Sequence, residues 1–152
     1  MSLPHNFSWV DAPLLSASAF PWEPAALHAL RNAGIEILLT LTEQPVRDDW
    51  MQDAGLLSVH VPVPDMDAPS PAQMQQCVDI IRKATNAGMG INVHCFAGMG
   101  RTGTILAAWL IADGETTDDA IRRIRTLRPN SIESIVQEEA LRDYESRRKR
   151  VD

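Results

Sequence analysis

Ile91-Asn92-Val93-His94-Cys95-Phe96-Ala97-Gly98-Met99-Gly100-Arg101-Thr102-Gly103 decides how this 152-residue chain is read. It opens as a short apolar run with alternating character, the pattern of a buried strand. It leads into Thr104-Ile105-Leu106-Ala107-Ala108-Trp109-Leu110-Ile111, which reads as a buried helix. Five residues separate Cys95 from Arg101, and none of them is ionisable. Between them the loop can offer an anion only its backbone N–H groups. Successive N–H donors make an anion-binding nest, and a helix starting near Arg101 adds its N-terminal partial positive charge. Gly98 and Gly100 permit backbone angles that a Cβ disfavours. The Arg101 guanidinium is a planar fork suited to two phosphate oxygens. Cys95 at the base of this positive field is favoured as thiolate over thiol. An anion-binding loop with a thiolate beneath it is a device for attack on phosphorus.

His94-Cys95, five residues, then Arg101-Thr102-Gly103 resembles the signature loop of the cysteine-dependent protein tyrosine phosphatase superfamily. A Cys and an Arg at this spacing are a weak signal alone. The preceding His, the following Thr-Gly, the inner glycines and the strand-loop-helix setting make it specific. Asn6-Phe7-Ser8-Trp9-Val10, Leu41-Thr42-Glu43, the loop around Asp65 and Arg128 to Gln137 extend the resemblance over nearly the whole chain. The branch it is most similar to is the small atypical dual-specificity phosphatases. Val63-Pro64-Asp65 departs from classical tyrosine phosphatases, which carry Trp before Pro-Asp. That departure leaves open how mobile the Asp65 loop is.

Composition sets the outer bounds. Hydrophobic residues make up 45% and charged residues 22%, ordinary for a soluble globular protein of one domain, residues 1–152. The formal net charge of −6 argues against a general partner in nucleic acid or an anionic membrane. Two cysteines, Cys77 and Cys95, make no disulfide framework. A reactive thiol favours a reducing compartment. No apolar run has the length of a membrane span, and Met1 to Asn6 lacks the features of a signal peptide. A cytoplasmic monomer is the expectation.

Along the chain, Phe7 to Val10 and Leu14 to Ser18 read as short strands about a turn at Asp11-Ala12-Pro13. Pro24 can open a helix that Gly34 ends. Ile35 to Leu41 reads as a strand buried on both faces. A short helix is expected from Val46 to Ala54, then a strand from Leu56 to Val63. Pro64 to Pro71 is the clearest loop. Ser70 can cap a helix reaching about Ala87, with Met74, Cys77, Val78, Ile81 and Ala84 on one face. Thr116 or Thr117 caps a helix through Leu127, and a last helix is expected from near Ser131. Strands alternating with helices predict an α/β fold with a mainly parallel central sheet. The signature loop then lies at the carboxyl end of its strand, where such sheets bind ligands. The resemblance implies the protein tyrosine phosphatase-like fold.

A phosphate monoester needs a proton for its leaving group as well as a nucleophile. Asp65, directly after a strand in a Pro-rich loop, matches the family's general acid. A turn aspartate bonding its own backbone is the plainer alternative, and Asp67 is a rival from the same loop. His94 matches a family position that holds the cysteine loop in shape. Thr102 could donate its hydroxyl to the sulfur, or cap the helix. Gln137 matches a glutamine that orients the attacking water in small dual-specificity phosphatases, and is otherwise a polar residue on a helix. Cys77 reads as a small core residue, with a redox pairing to Cys95 as the alternative. His5, His28 and His60 do not cluster with cysteines at metal-ligand spacing. Neither metal nor cofactor is expected.

These readings combine into a metal-independent phosphatase for phosphotyrosine, with phosphoserine and phosphothreonine left open. Cys95 would be the nucleophile. The N–H groups of Phe96, Ala97, Gly98, Met99, Gly100 and Arg101 would hold the phosphate or another oxyanion. A phosphorylated protein or peptide is the expected partner. Phosphoinositides are disfavoured because Phe96 to Gly100 contains no lysine. RNA 5′-triphosphates fit poorly with the acidic balance. A non-catalytic phosphopeptide-binding module is the other class of reading, and intact Cys95, Arg101 and Asp65 argue against it.

Overall fold

β5 (Gly90–His94) is the strand on which the fold is hung, and all five of its residues are buried. It carries the alternating apolar run read above, and it pairs in parallel on both sides. One neighbour is β2 (Leu15–Ser18), with Leu15 opposite Ile91 and Ser18 opposite His94. The other is β3 (Ile35–Thr40), with Thr40 opposite His94. β1 (Ser8–Asp11) flanks β2 antiparallel, and β4 (Leu57–His60) flanks β3 in parallel. The sheet order is β1-β2-β5-β3-β4. The computed structural model describes residues 2–151.

Helices cover both faces, as parallel strands require. α1 (Pro24–Asn32) and α2 (Asp48–Ala54) pack one face around Leu27, Leu30, Ile35, Leu38, Met51 and Leu56. α3 (Pro71–Asn86), α4 (Gly100–Ala112), α5 (Thr117–Leu127) and α6 (Ile135–Val151) enclose the other. α4 is apolar all round and nearly every residue of it is buried. That is why it follows β5 through the middle of the molecule. Cys77 lies in this second core, and burial pushes its thiol up to about 12. No described helix is long and apolar enough to cross a membrane.

Three boundaries differ from the sequence expectation by two residues or more. α2 starts at Asp48, not Val46. Val46 is instead buried in the core beside α1, while Asp48 and Asp49 supply the negative charge that a helix start favours. β4 ends at His60, not Val63. Val61 and Val63 still donate N–H bonds to the Thr40 and Leu41 carbonyls, both at 3.0 Å. Pro62 and Pro64 have no N–H to continue a ladder. α6 starts at Ile135, not near Ser131. Asn130 and Ile132 are left-handed (φ 71° and 62°), and the Ser131 hydroxyl bonds the Arg128 carbonyl at 2.7 Å. Ser134 does the capping, accepting from the Gln137 N–H at 3.2 Å.

α3 carries the Ser70 cap that the sequence suggested, and the structure extends it to a capping box with Gln73. Ser70 Oγ accepts from the Gln73 N–H at 3.1 Å, and Gln73 Oε1 accepts from the Ser70 N–H at 3.0 Å. The same Gln73 side chain donates to the Pro62 carbonyl at 3.0 Å, so the cap also anchors the base of the Asp65 loop. Ser70→Ala should cost about 1 kcal/mol of stability. Urea unfolding should show a lower midpoint with an unchanged slope.

Candidate active site

Cys95 follows β5 directly, and it is buried, as is His94. His94 is fixed from both ring nitrogens. A carbonyl can only accept, so Nδ1 carries the proton toward the Cys95 carbonyl at 3.3 Å. Nε2 then accepts from the Thr40 hydroxyl at 2.7 Å. This neutral tautomer agrees with the surroundings. Burial first, with the nearby Arg101 charge, pulls His94 down to about 4, against the bond to Cys95.

The loop from Phe96 to Gly100 turns its carbonyls away from its own centre. Phe96 accepts from the Phe20 N–H at 3.0 Å, and Ala97 from Asn6 Nδ2 at 3.2 Å. Gly98 accepts from Arg128 Nη2 at 2.6 Å. Met99 accepts from the Ile132 and Gly103 N–H groups, and Gly100 from the Thr104 hydroxyl at 2.7 Å. No N–H from Phe96 to Arg101 donates to a protein acceptor among the described residues. The result is a ring of free donors above a buried thiol, the physical form of an anion nest. Gly98 has φ +79°, and a Cβ there would lie 2.6 Å from Ser18 backbone atoms. Only glycine fits. A Cβ at Gly100 would lie 2.6 Å from a Glu133 carboxylate oxygen and 3.1 Å from the Gln137 amide.

Arg101 is 3% exposed. Its Nη1 donates to Glu43 Oε1 at 2.6 Å and to the Val63 carbonyl at 2.8 Å. Its Nη2 lies 3.4 Å from Asp65 Oδ1. Glu43 also accepts from the Asp65 N–H at 3.3 Å, so one carboxylate joins Arg101 to the Asp65 loop. Its own backbone N–H, then Arg101, hold Glu43 below the usual carboxylate range. Asp65 lines a cleft of about 380 Å³ together with Arg101, Glu43, Thr42, Gln44 and three aromatic rings. Those rings form one wall. Phe20 and Trp22 are 4.6 Å apart, and Trp22 meets Phe96 edge-on at 5.2 Å.

The structure thus brings together Cys95, the loop, Arg101 and Asp65. It does not bring Asp67 in. Asp67 Oδ1 accepts from the Ala68 N–H at 2.8 Å, a local turn contact; Asp65 Oδ1 likewise accepts from the Met66 N–H at 2.9 Å, as the turn-aspartate alternative expected, but of the two only Asp65 lines the cleft and faces Arg101. Gln137 is fully buried behind Gly100. Its Oε1 accepts from the Glu133 and Ser134 N–H groups, and its Nε2 donates to the Asp67 carbonyl at 3.1 Å. The Thr102 hydroxyl is buried without a hydrogen-bond partner among the described residues, the Cys95 sulfur included.

Among the site residues that carried no assigned role in the sequence reading are Glu43 and Arg128. Glu43 stands just past the end of β3, on the same sheet edge as Cys95. That placement, with the Leu41-Thr42-Glu43 match, was the signal available for it. Arg128 had no comparable signal beyond the segment it opens.

The His94 environment sets a pH dependence. Its folded value lies below the ordinary 6.5, so its contribution to stability is complete above pH 6.5 and is lost as pH falls toward 4. The full shift corresponds to roughly 3 kcal/mol. Carboxylates held low, such as Glu145 at about 2, add their loss only below pH ~4.5. Urea unfolding between pH 6.5 and 4.5 should therefore show falling stability, and His94→Gln should flatten that interval.

A family model described as "Tc-R-P: Polymorphic toxin system, DSP-PTPase phosphatase" matches residues 20–115. Dual specificity protein phosphatase 12 of Mus musculus is 32% identical over 127 residues, covering 81% of this chain and 37% of that protein. The chain thus spans little more than a third of that relative. Among solved structures, Tk-PTP in its active form is 27% identical with a TM-score of 0.86, covering 93% of this chain and 97% of that one. PTPMT1 in complex with PI(5)P, 21% identical over 96% of this chain and 99% of that one, has a TM-score of 0.83 and shares the fold. With its described residues in this fold and the match running through Asp65, Cys95 and Arg101, the chain belongs to the DSP-PTPase phosphatase family.

Proposed function

We propose that the chain is a metal-independent phosphatase acting on phosphotyrosine through a phosphocysteine intermediate. The observation that carries this reading is the ring of free N–H donors from Phe96 to Arg101 around a buried Cys95. Cys95 Sγ attacks phosphorus, forming an S–P bond as the bond to the leaving oxygen breaks. The loop N–H groups and Arg101 hold the phosphoryl oxygens, so the charge stabilisation comes from fixed dipoles and one guanidinium.

Asp65 gives its proton to the leaving oxygen. An arriving phosphate competes with Asp65 for Arg101 Nη2, now 3.4 Å away, and frees the carboxyl for that task. Glu43 keeps Nη1 in place at 2.6 Å. In the second step water attacks phosphorus, its proton passes to Asp65, the S–P bond breaks and inorganic phosphate leaves. Gln137 uses one Nε2 proton on Asp67 and retains a second with which to orient that water. Thr102 is the hydroxyl available to the departing thiolate. His94 stays neutral and holds the Cys95 carbonyl; it is not the base.

The cleft favours an aromatic phosphoester. Phe20, Trp22 and Phe96 line the cleft with apolar ring surface, and Glu43 and Asp65 line it as well. A tyrosine ring can stack on such a surface. A polyphosphorylated inositol headgroup would bring extra negative charge against two carboxylates, and the loop has no lysine to offset it. Phosphoserine and phosphothreonine place less apolar surface in the same cleft. The physiological substrate is accordingly a phosphorylated protein or peptide.

Cys95→Ser tests the nucleophile. It should abolish turnover of an aryl phosphate while oxyanion binding persists, because the nest and Arg101 remain. Rapid-quench labelling should trap a phosphoenzyme with the native chain and none with the variant. Turnover in Cys95→Ser at the native rate would exclude the mechanism.

Asp65 and Asp67 separate in a pH–rate series. Asp65→Asn should cut kcat by about 10²–10⁴ and flatten the alkaline limb. The loss should shrink with a leaving group that is already acidic. Asp67→Asn should keep both limb and rate, and the reverse pattern would move the acid role to Asp67.

A further inference from the structure

Arg128 is 3% exposed, yet among the described residues it has no carboxylate partner. Its Nη1 donates to the Asn6 carbonyl at 2.9 Å, the Ser8 hydroxyl at 2.6 Å and the Ala17 carbonyl at 3.3 Å. Its Nη2 donates to the Gly98 carbonyl at 2.6 Å. Its Nε has no acceptor among the described residues. Every partner is neutral. A buried guanidinium without a counter-charge is costly to a fold, so its retention at this point calls for a return.

The return lies in the peptide it holds. The Gly98–Met99 peptide is at the crest of the loop, where Gly98 has φ +79°. A trans peptide is planar, and its C=O and N–H point in opposite directions. With the Gly98 carbonyl drawn to Arg128, the Met99 N–H must face the other way, toward the centre of the loop. Rotating this one peptide would replace a donor by a carbonyl oxygen facing the anion. The other loop carbonyls are tied by a backbone N–H, an amide or a hydroxyl. Gly98 alone is tied by a cation. Burial lowers Arg128 from its ordinary range, and the neighbouring Cys95 opposes this fall.

We propose that Arg128 is a positioning residue that fixes the Gly98–Met99 peptide with its N–H turned toward the oxyanion. The proposal rests on the phosphatase reading above only for the identity of that oxyanion. Arg128 touches neither substrate nor the reacting atoms; it acts through Gly98. Because its remaining bonds reach Asn6, Ser8 and Ala17, it also ties the crest of the loop to β1 and β2.

The test uses inorganic tungstate as the probe, so it does not depend on turnover. Arg128→Lys keeps a charge but cannot serve Gly98 and the β1 side together through a planar fork. Calorimetry should show tungstate binding weakened about ten- to a hundredfold, the scale of one hydrogen bond to a charged group. Arg128→Ala should show the same loss, with partial recovery in millimolar guanidinium and none in ethylammonium. A folded Arg128→Lys that binds tungstate as tightly as the native chain overturns the proposal. The native chain supplies a check that needs no variant. On tungstate addition the Met99 amide should shift downfield in NMR with those of its loop neighbours; a Met99 amide that stays put while theirs move overturns it. Native tungstate binding without any aryl phosphate turnover would strike the phosphatase reading and leave the Arg128 assignment standing.

Discussion

The orientation of five consecutive peptide carbonyls, Phe96 to Gly100, is the constraint on which the rest of the structure depends. N–H groups can be concentrated on one side of a loop only if the carbonyls find acceptor duty on the other. Unpaired carbonyls in a buried place would cost as much as lost hydrogen bonds. These carbonyls are bonded from several parts of the chain: by Phe20, Asn6, Arg128, Ile132 with Gly103, and Thr104. A single such bond contributes only about 0.5–1.5 kcal/mol net. Their joint effect is geometric, since each one blocks rotation of one peptide. The N-terminal segment, the β2–α1 connection and the α5–α6 connection are all drawn to one end of β5 for this reason.

Arg101 extends the same constraint to the opposite wall. Its guanidinium is buried, and its partner Glu43 is 56% exposed. Half-exposed pairs contribute little net stability, so the Glu43 contact matters chiefly for direction. It sets the plane of the fork, and through the Asp65 N–H it sets the distance between that fork and the Asp65 loop. The Val63 carbonyl does the same from the end of the β4 segment. A residue just past β3, one from the β4 extension and one from α4 therefore share a single hydrogen-bonded corner.

The parts of this arrangement that were legible in the sequence are those whose chemistry is local. β5, the loop and α4 form one continuous stretch, and its apolar periodicity, glycines and Cys–Arg spacing all act within it. The α3 cap was legible because Ser70 and Gln73 bond each other. Glu43 and Arg128 were not, because their importance lies in partners 58 and 30 positions away. The start of α6 was misplaced for a related reason. Asn130, Ser131 and Ile132 have the composition of a helix cap, but Gly103 packs on Ser131 and the Ile132 N–H is spent on Met99. Tertiary contact with the signature loop delays the helix by a turn.

The Asp65 loop lacks the Trp of classical tyrosine phosphatases, and its tethers explain how it can manage without one. Gln73 holds Pro62, Glu43 holds the Asp65 N–H, Ser134 Oγ donates to the Met66 carbonyl at 3.1 Å, and Gln137 holds Asp67. Within the loop the Asp67 N–H closes on the Pro64 carbonyl at 3.1 Å, and Met66 takes a left-handed φ of 62°. Three different walls, α3, the β3 end and the start of α6, grip a segment of six residues from both sides. A segment gripped this way has few conformations to lose on binding. The proposed acid stands 3.4 Å from Arg101. On the phosphatase reading proposed above, binding would exchange the contact of Asp65 with Arg101 Nη2 for a phosphoryl oxygen, and Glu43 would keep the fork aligned during that exchange.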